Sequence, residues 1–491
     1  MSFDLKDLED LTILELQQAM AEGALTSRCL TAFCLAQIAR YDQQGPALNS
    51  IMQINPEALF WAEALDQERR MQGVRGPLHG IPILVKDNIQ TADLMPTTAG
   101  TLALADYRAK TDAFVTRQLR AAGAVILGKT NLTEMANFMT KGMPNGYSAL
   151  GGQVRSPYGP GQFDVGGSSS GSGVAVAAGM APGAVGTETS GSILSPASQN
   201  GVVGIKPTVG LISRTGIIPI SPTQDTAGPM ARTVTDVAVM LGAMAGPDPK
   251  DPATAKRDRD QPLDYTRFLD PEGLKDARIG VPREYYRSLS DEVLDRVETV
   301  LDVLRLSGAE VLDPTSIFPE PPEWQYDVLT YEFKPALDAF LGQLPAWCPV
   351  HTLNELIAFN LHHSATALLY GQTQLLASAA TSGRLTDPTY LEALAKDRRW
   401  ARDEGIDRVM ADYALDALLF VGNQGASITA KAGYPSVSVP MGLDGRGAPV
   451  GITFSGRAFR EARLIQLAYA FEQAANLRVP PDLTPKASQN Q

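Results

Sequence analysis

Helical spacing of apolar residues at the start of the chain gives way to short unbroken apolar runs, and the exchange of the two patterns predicts the elements. Thr12 and Glu15 stand at capping-box spacing, where a hydroxyl and a carboxylate satisfy free N–H groups at a helix start, and Gly23 ends that helix. A second helix is expected from Thr26 to Tyr41, and residues 46–75 continue into a charged helix, AEALDQERRMQ. At Gly80-Ile-Pro-Ile-Leu-Val-Lys-Asp the pattern becomes that of a buried strand, and Lys86 ends it.

From 112 to 128 a helical stretch, DAFVTRQLRAA, is followed by Gly123 and the strand AVIL. The unit returns at 290–312, where Val293, Val297, Val300, Leu301 and Leu304 mark one helical face ahead of Gly308 and a short strand. Further strands are expected at Arg278–Val281, Ala417–Val421, Ser436–Val439 and Val450–Phe454, with a last helix from Phe459 to Ala475. Helix, glycine, strand is the order of an α/β protein. Residues 246–262 read as a polar linker and the tail 480–491 as disordered.

Composition narrows the function classes. The chain has 491 residues, 44% hydrophobic and 20% charged, enough apolar material for a large core. Lys plus Arg number 42 against 54 Asp plus Glu, a net charge of −12, which points away from nucleic acid and from anionic membranes. Cys29, Cys34 and Cys348 form no CxxC pair and are too few for a disulfide framework, so a reducing compartment fits best. The opening MSFDLKDLED has no basic and apolar leader pattern, and no apolar run reaches about 18 residues. A soluble cytoplasmic protein is expected, with the oligomeric state left open.

The chemistry is concentrated in residues 164–192, DVGGSSSGSGVAVAAGMAPGAVGTETSGS. Side chains this small let backbone approach backbone and leave N–H groups bare for a ligand. Ser168 and Ser192 stand at the two ends. Gly167-Ser-Ser-Ser-Gly171 matches G-x-S-x-G, but a nucleophile elbow at Ser169 needs a buried strand ahead of it, and SPYGPGQFDV is rich in Pro and Gly. No phosphate-loop motif is present, and a flexible linker does not feed a helix such as VAVAAGMA. The four histidines, His79, His351, His362 and His363, fall in no motif that places a triad, and adjacent histidines point about 100° apart on a helix. That scarcity shifts weight to a lysine base, because a neutral amine accepts a proton once burial lowers its pKa.

Residues 166–232, with GIPILVKDNI at 80–89, GKTNLTEMANF at 128–138, AGYPSVSVPMG and PVGITFSG, resemble the amidase signature family of serine hydrolases. The resemblance covers most of the chain outside 246–410. It implies a single α/β/α domain around a large mixed β-sheet and a Ser-cisSer-Lys triad. By position in the motifs, Ser192 corresponds to the nucleophile, Ser168 to the bridging serine after a cis peptide, and Lys86 to the general base. Ser168 and Ser192 are 24 residues apart, as in the family. Thr189, Ser190, Gly191 and Ser192 correspond to the oxyanion-hole turn, and Met135 with Ser168 to substrate contacts. Asp225 and Arg232 are expected to brace the turns. No cofactor or metal is implied. Amide hydrolysis needs these parts: a nucleophile, a base that later protonates the leaving amine, and N–H donors for the oxyanion.

The strings GTETSGSI, GVVGIKPTVGLISR and GIIPISPTQDTAGPMAR resemble the peptide-amidase branch, as do LYGQTQLLASA and LTDPTYLEAL. Leu194 and Ser195 occupy the neighbourhood where transamidating relatives carry an arginine, and Ser190 stands where the branch often has aspartate. The expected partner is a small-molecule or peptide amide. An aryl-acylamidase or carbamate hydrolase is the alternative enzyme reading, and a catalytically idle scaffold the alternative of another class. The expected organisation is N-terminal helices (1–75), a signature core (76–245), a variable middle (246–410), a return to the core (411–479) and a tail (480–491). The middle carries Trp324, Tyr326, Tyr331, Phe333, Phe340 and Trp347, expected to wall the substrate entrance.

Overall fold

The computed structural model describes residues 8–257 and 261–484, so the first seven residues, three of the predicted linker and most of the predicted tail lie outside it. Among the described residues, eleven strands form one mixed sheet: β1 (Ile51–Ile54), β2 (Pro82–Lys86), β3 (Val125–Thr130), β4 (Gly183–Glu188), β5 (Val203–Lys206), β6 (Thr226–Ala231), β7 (Arg278–Gly280), β8 (Glu310–Leu312), β9 (Ala417–Val421), β10 (Ser436–Leu443) and β11 (Pro449–Ser455). Their spatial order is β1-β3-β2-β4-β6-β5-β10-β11-β9-β7-β8. β2 runs parallel to both β3 and β4, whereas β4, β6, β5, β10 and β11 are joined antiparallel. Helices cover the sheet, and β2, β3, β4 and β6 are buried along their whole length, which is why their sequences do not alternate.

Most predicted elements are present, including the capping box at Thr12 and Glu15 and the final helix, at Glu461–Ala475. Residues 46–75 differ from expectation, because strand β1 precedes the charged helix Ala58–Gln72 and pairs with β3. The small-residue run becomes the helix Ser170–Ala177, buried at every position. Its composition is a packing requirement: a Cβ on Gly171 would stand 2.3 Å from the Ser50 carbonyl oxygen and 2.5 Å from that of Asn131.

The stretch 246–410 divides in two. β7, the helix Asp291–Leu306 and β8 complete the far edge of the main sheet. The helices Asp327–Leu341, Leu353–His362 and Pro388–Arg398 contribute to a second apolar cluster with Met135, Phe138, Ile218 and Ile220. Several of the middle aromatics pack these helices: Phe333 lies 4.8 Å from Phe138 and Phe340 lies 6.4 Å from Tyr107, ring to ring. Tyr326 and Trp347 are exposed. His79 is buried with Nε2 2.9 Å from the Leu65 carbonyl oxygen, and the His362 and His363 rings meet edge to face. No helix among the described residues is long and apolar enough to cross a membrane.

Candidate active site

Parallel pairing of β2 with β4, from Ile83 opposite Gly183 to Val85 opposite Val185, brings Lys86 and Thr187 side by side where the strands end. Lys86 is fully buried. Its Nζ lies 2.8 Å from Ser168 Oγ, 3.0 Å from Ser169 Oγ and Thr187 Oγ1, and 3.3 Å from the Thr187 carbonyl oxygen, all within hydrogen-bond reach. Burial lowers its pKa to about 7, a shift that the carboxylates of Glu188 and Asp225 only partly oppose. Lys129 and Lys206 are also buried and lowered to about 8, but Lys129 bonds the Ile89 carbonyl and Thr97 Oγ1, and Lys206 bonds the carbonyls of Thr429 and Tyr434. Of these three amines, Lys86 alone meets the serine cluster.

The peptide bond between Gly167 and Ser168 is cis. Thr133 N–H donates to the Ser168 carbonyl at 3.1 Å, and Ser169 N–H donates to the Ser192 carbonyl at 3.1 Å, so the two ends of the motif are tied together. Ser169 is not the centre of an elbow: no strand leads into it, and its Oγ donates to the Thr187 carbonyl at 3.0 Å while accepting from Thr187 N–H. Ser170 Oγ bonds the Gly166 carbonyl and Ser172 Oγ that of Val185, so both hydroxyls hold the backbone.

Ser192 is 7% exposed, and its hydroxyl makes no hydrogen bond among the described residues. The turn before it is held by Glu188, whose carboxylate accepts from Gly191 N–H at 2.7 Å, Ile193 N–H at 2.7 Å and Leu194 N–H at 3.1 Å. This narrows the expected donor set, because Gly191 N–H is already committed inward. The N–H groups of Thr189, Ser190 and Ser192 have no acceptor among the described residues. Gly191 serves the turn through its φ of +80°, a region an L side chain rarely adopts.

Asp225 accepts from Thr189 Oγ1 at 2.5 Å, Ile220 N–H at 2.8 Å and Ser221 N–H at 2.9 Å, and burial pushes its carboxyl up to about 6. It braces the turn as expected. Arg232 instead ties the carbonyls of Ala181 and Leu11. Met135 lies in a left-handed turn, φ 49°, with its N–H on the Ala99 carbonyl. The neighbouring Ala136, rather than Met135, lines the cavity beside Thr187 and Thr189. None of the six middle aromatics lines that cavity.

Three contributors escaped the sequence reading: Thr187, Glu188 and Asn88, whose Nδ2 donates to Thr187 Oγ1 at 3.0 Å. Glu188 had a signal, since it is the single carboxylate within the Gly/Ser/Thr run 183–192. As chemistry, an amine that sheds its proton near neutrality stands in contact with the hydroxyls of Ser168 and Ser169, and the free hydroxyl of Ser192 lies in a turn that carries unpaired backbone N–H groups.

The sequence profile of the Amidase family matches residues 30–421. A probable amidase of Arabidopsis thaliana is 39% identical over 489 residues, covering 96% of this chain and 92% of the relative. The crystal structure of native peptide amidase from Stenotrophomonas maltophilia superposes with a TM-score of 0.90 at 46% identity, covering 97% of this chain and 99% of the other. An amidase family protein from Bacillus anthracis gives 0.93 at 41% identity, covering 97% and 93%. The chain belongs to the amidase signature family, on its peptide-amidase branch.

Proposed function

We propose that the protein hydrolyses carboxamides through an acyl-enzyme on Ser192, with Ser168 and Lys86 as the proton relay. The observation that carries the reading is the 2.8 Å contact between Ser168 Oγ and a fully buried Lys86 whose pKa is lowered to about 7. With Lys86 neutral, Ser192 Oγ attacks the amide carbon while its proton passes through Ser168 to Nζ. The oxyanion of the tetrahedral intermediate accepts from the N–H groups of Thr189, Ser190 and Ser192. As the C–N bond breaks, the proton returns from Lys86 through Ser168 to the leaving nitrogen. Water then attacks the acyl carbon and gives its proton along the same relay, the ester bond to Ser192 Oγ breaks, and Oγ takes that proton back as the acid leaves.

Peptide C-terminal amides are the proposed substrates, supported by the likeness to a peptide amidase and by Leu194 and Ser195, which offer a glutamine carboxylate no cation. Ser190 is exposed and uncharged, so this turn supplies no carboxylate to hold a cationic substrate group. The free thiols Cys29, Cys34 and Cys348 suit work in the reducing cytoplasm. A fluorophosphonate should label Ser192 and fail on Ser192→Ala, and the same substitution should abolish turnover across a panel of peptide amides, anilides, carbamates and glutamine. Undiminished hydrolysis by Ser192→Ala would refute the mechanism, and absence of both labelling and turnover in the wild type would favour a scaffold role. A mainly apolar wall beside the turn favours anilide or carbamate substrates as the second reading.

A further inference from the structure

A cavity of about 310 Å³ abuts the turn, and its lining includes Thr187 and Thr189 from the turn and the ion pair of Arg214 with Asp251. Ile217, Ile218, Pro219, Ile220 and Pro222 line it as well. Most polar groups in this wall are satisfied by one another or by the backbone, the exceptions among the described residues being Asn88 Oδ1 and the exposed Lys250 ammonium. Thr189 Oγ1 bonds Asp225, and Asn88 Nδ2 bonds Thr187 Oγ1. The Glu188 carboxylate is taken by three backbone N–H groups. Arg214 clasps Asp251 through Nε at 2.8 Å and Nη2 at 2.5 Å, with its own backbone N–H on the same carboxylate at 2.8 Å. A ligand entering here finds few unfilled hydrogen-bonding positions and a run of branched and cyclic aliphatic side chains. Such a surface rewards removal of apolar area from water and offers a polar group little in exchange for its hydration.

We infer that this cavity receives an apolar substituent, branched aliphatic or aromatic, carried by the amide substrate next to its scissile bond. The inference rests on Ser192 being the acylated residue, since that fixes the bond against which the substituent is measured. A dry cavity of roughly 150 Å³ accepts a benzene ring, so this one has room for a phenyl or isobutyl group and further methylenes. Ile217 and Ile220 are then specificity-determining residues, with Asp225 fixing the position of Ile220 through its backbone N–H.

Two substrate series test the assignment and tell which side of the amide is seated. One lengthens the acyl group of primary amides, from acetamide through isovaleramide to phenylacetamide; the other enlarges the amine, from N-methyl- through N-isobutyl- to N-benzylacetamide. kcat/KM should climb about fourfold per added methylene in one of them until the cavity is full. Ile220→Phe should lower the ratio of kcat/KM for the bulkiest member to that for the smallest by about 10- to 100-fold. Ile217→Ala should raise that ratio for members too large for the wild type, and it keeps the inference testable should Ile220→Phe fail to fold. A flat response in both series, or a ratio unmoved by both variants, overturns the cavity's role. If Ser192→Ala retains turnover, the acyl-enzyme reading fails first; turnover lost in Ser192→Ala beside a flat size response removes the cavity's role alone.

Discussion

Replacing Lys86 by Met keeps the length of the side chain and removes the ionisable group, and it should change how stability depends on pH. In the unfolded chain the lysine holds its proton up to about 10.5; in the folded protein burial releases it at about 7. Between those values the unfolded chain binds one proton more than the folded one, so this residue makes stability rise with pH. Below about 7 both states are protonated and the folded state carries the whole cost of an enclosed ammonium, about 5 kcal/mol for a shift of that size. Above about 10.5 the cost is gone. Met leaves Ser168 Oγ without a partner, whereas Ser169 Oγ keeps the Thr187 backbone and Thr187 Oγ1 keeps Asn88, so the loss is about 1–3 kcal/mol for one unsatisfied group and hardly varies with pH. Urea unfolding of both proteins from pH 6 to pH 10 reads the difference, in which the contributions of Lys129 and Lys206 cancel. The wild type should gain on Lys86→Met by about 1.4 kcal/mol per pH unit between roughly pH 7.5 and 10, with the difference level below about 6.5. A difference that stays constant across the range would refute the picture of Lys86 as a buried amine that is neutral at working pH.

Two further substitutions probe the supports of the turn. Glu332, buried on the helix Asp327–Leu341, accepts from Ser221 Oγ at 2.5 Å, Thr223 Oγ1 at 3.0 Å and Tyr390 OH at 2.8 Å, clamping the loop that Asp225 joins to Thr189. Glu332→Ala should lower kcat/KM about tenfold, mainly through KM, with Glu332→Gln intermediate; a fall confined to kcat would contradict a role in shaping the substrate wall. Gly191→Ala places a Cβ 3.2 Å from Asn423 Nδ2 at a φ of +80°, at a local cost of about 1–2 kcal/mol. Steady-state kinetics should show kcat reduced at least about 100-fold with thermal stability little changed, and near-normal kcat would free the turn of that conformational demand.

Strand β2 was readable because PILVK is an apolar run that ends in a charge. By contrast, β4 and β6, GAVGTE and TAGPMA, are made of small residues and a proline, and they become strands because the sheet buries them on both faces. The motif supplied Lys86, Ser168 and Ser192 as candidates, and the fold brings Lys86 into contact with Ser168 and ties Ser169 to Ser192. What the sequence withheld was which backbone groups are already spent. Nothing in GTETSGS tells a reader that Glu188 folds back onto Gly191, Ile193 and Leu194 and so removes Gly191 from the donor set. The middle aromatics were conspicuous by composition, yet Phe333 is committed to helix packing, a distinction that residue type alone does not carry.

The strand order has a consequence for synthesis. The six strands on one side of the sheet, β1 to β6, all precede residue 232, and the remaining five come from the second half of the chain. β5 is therefore made with its outer edge bare, and Ser436, the residue of β10 that sits opposite Lys206, follows about 230 residues later. Until then neither the Thr429 nor the Tyr434 carbonyl has been made for Lys206 to bond. A cation on an unpaired edge is a recurrent means by which proteins deter pairing with a neighbouring chain. The lysine that is a sealed internal strut in the finished molecule would by that logic guard the edge of a nascent half-sheet, one whose strands all precede residue 232, as do Lys86, Ser168 and Ser192.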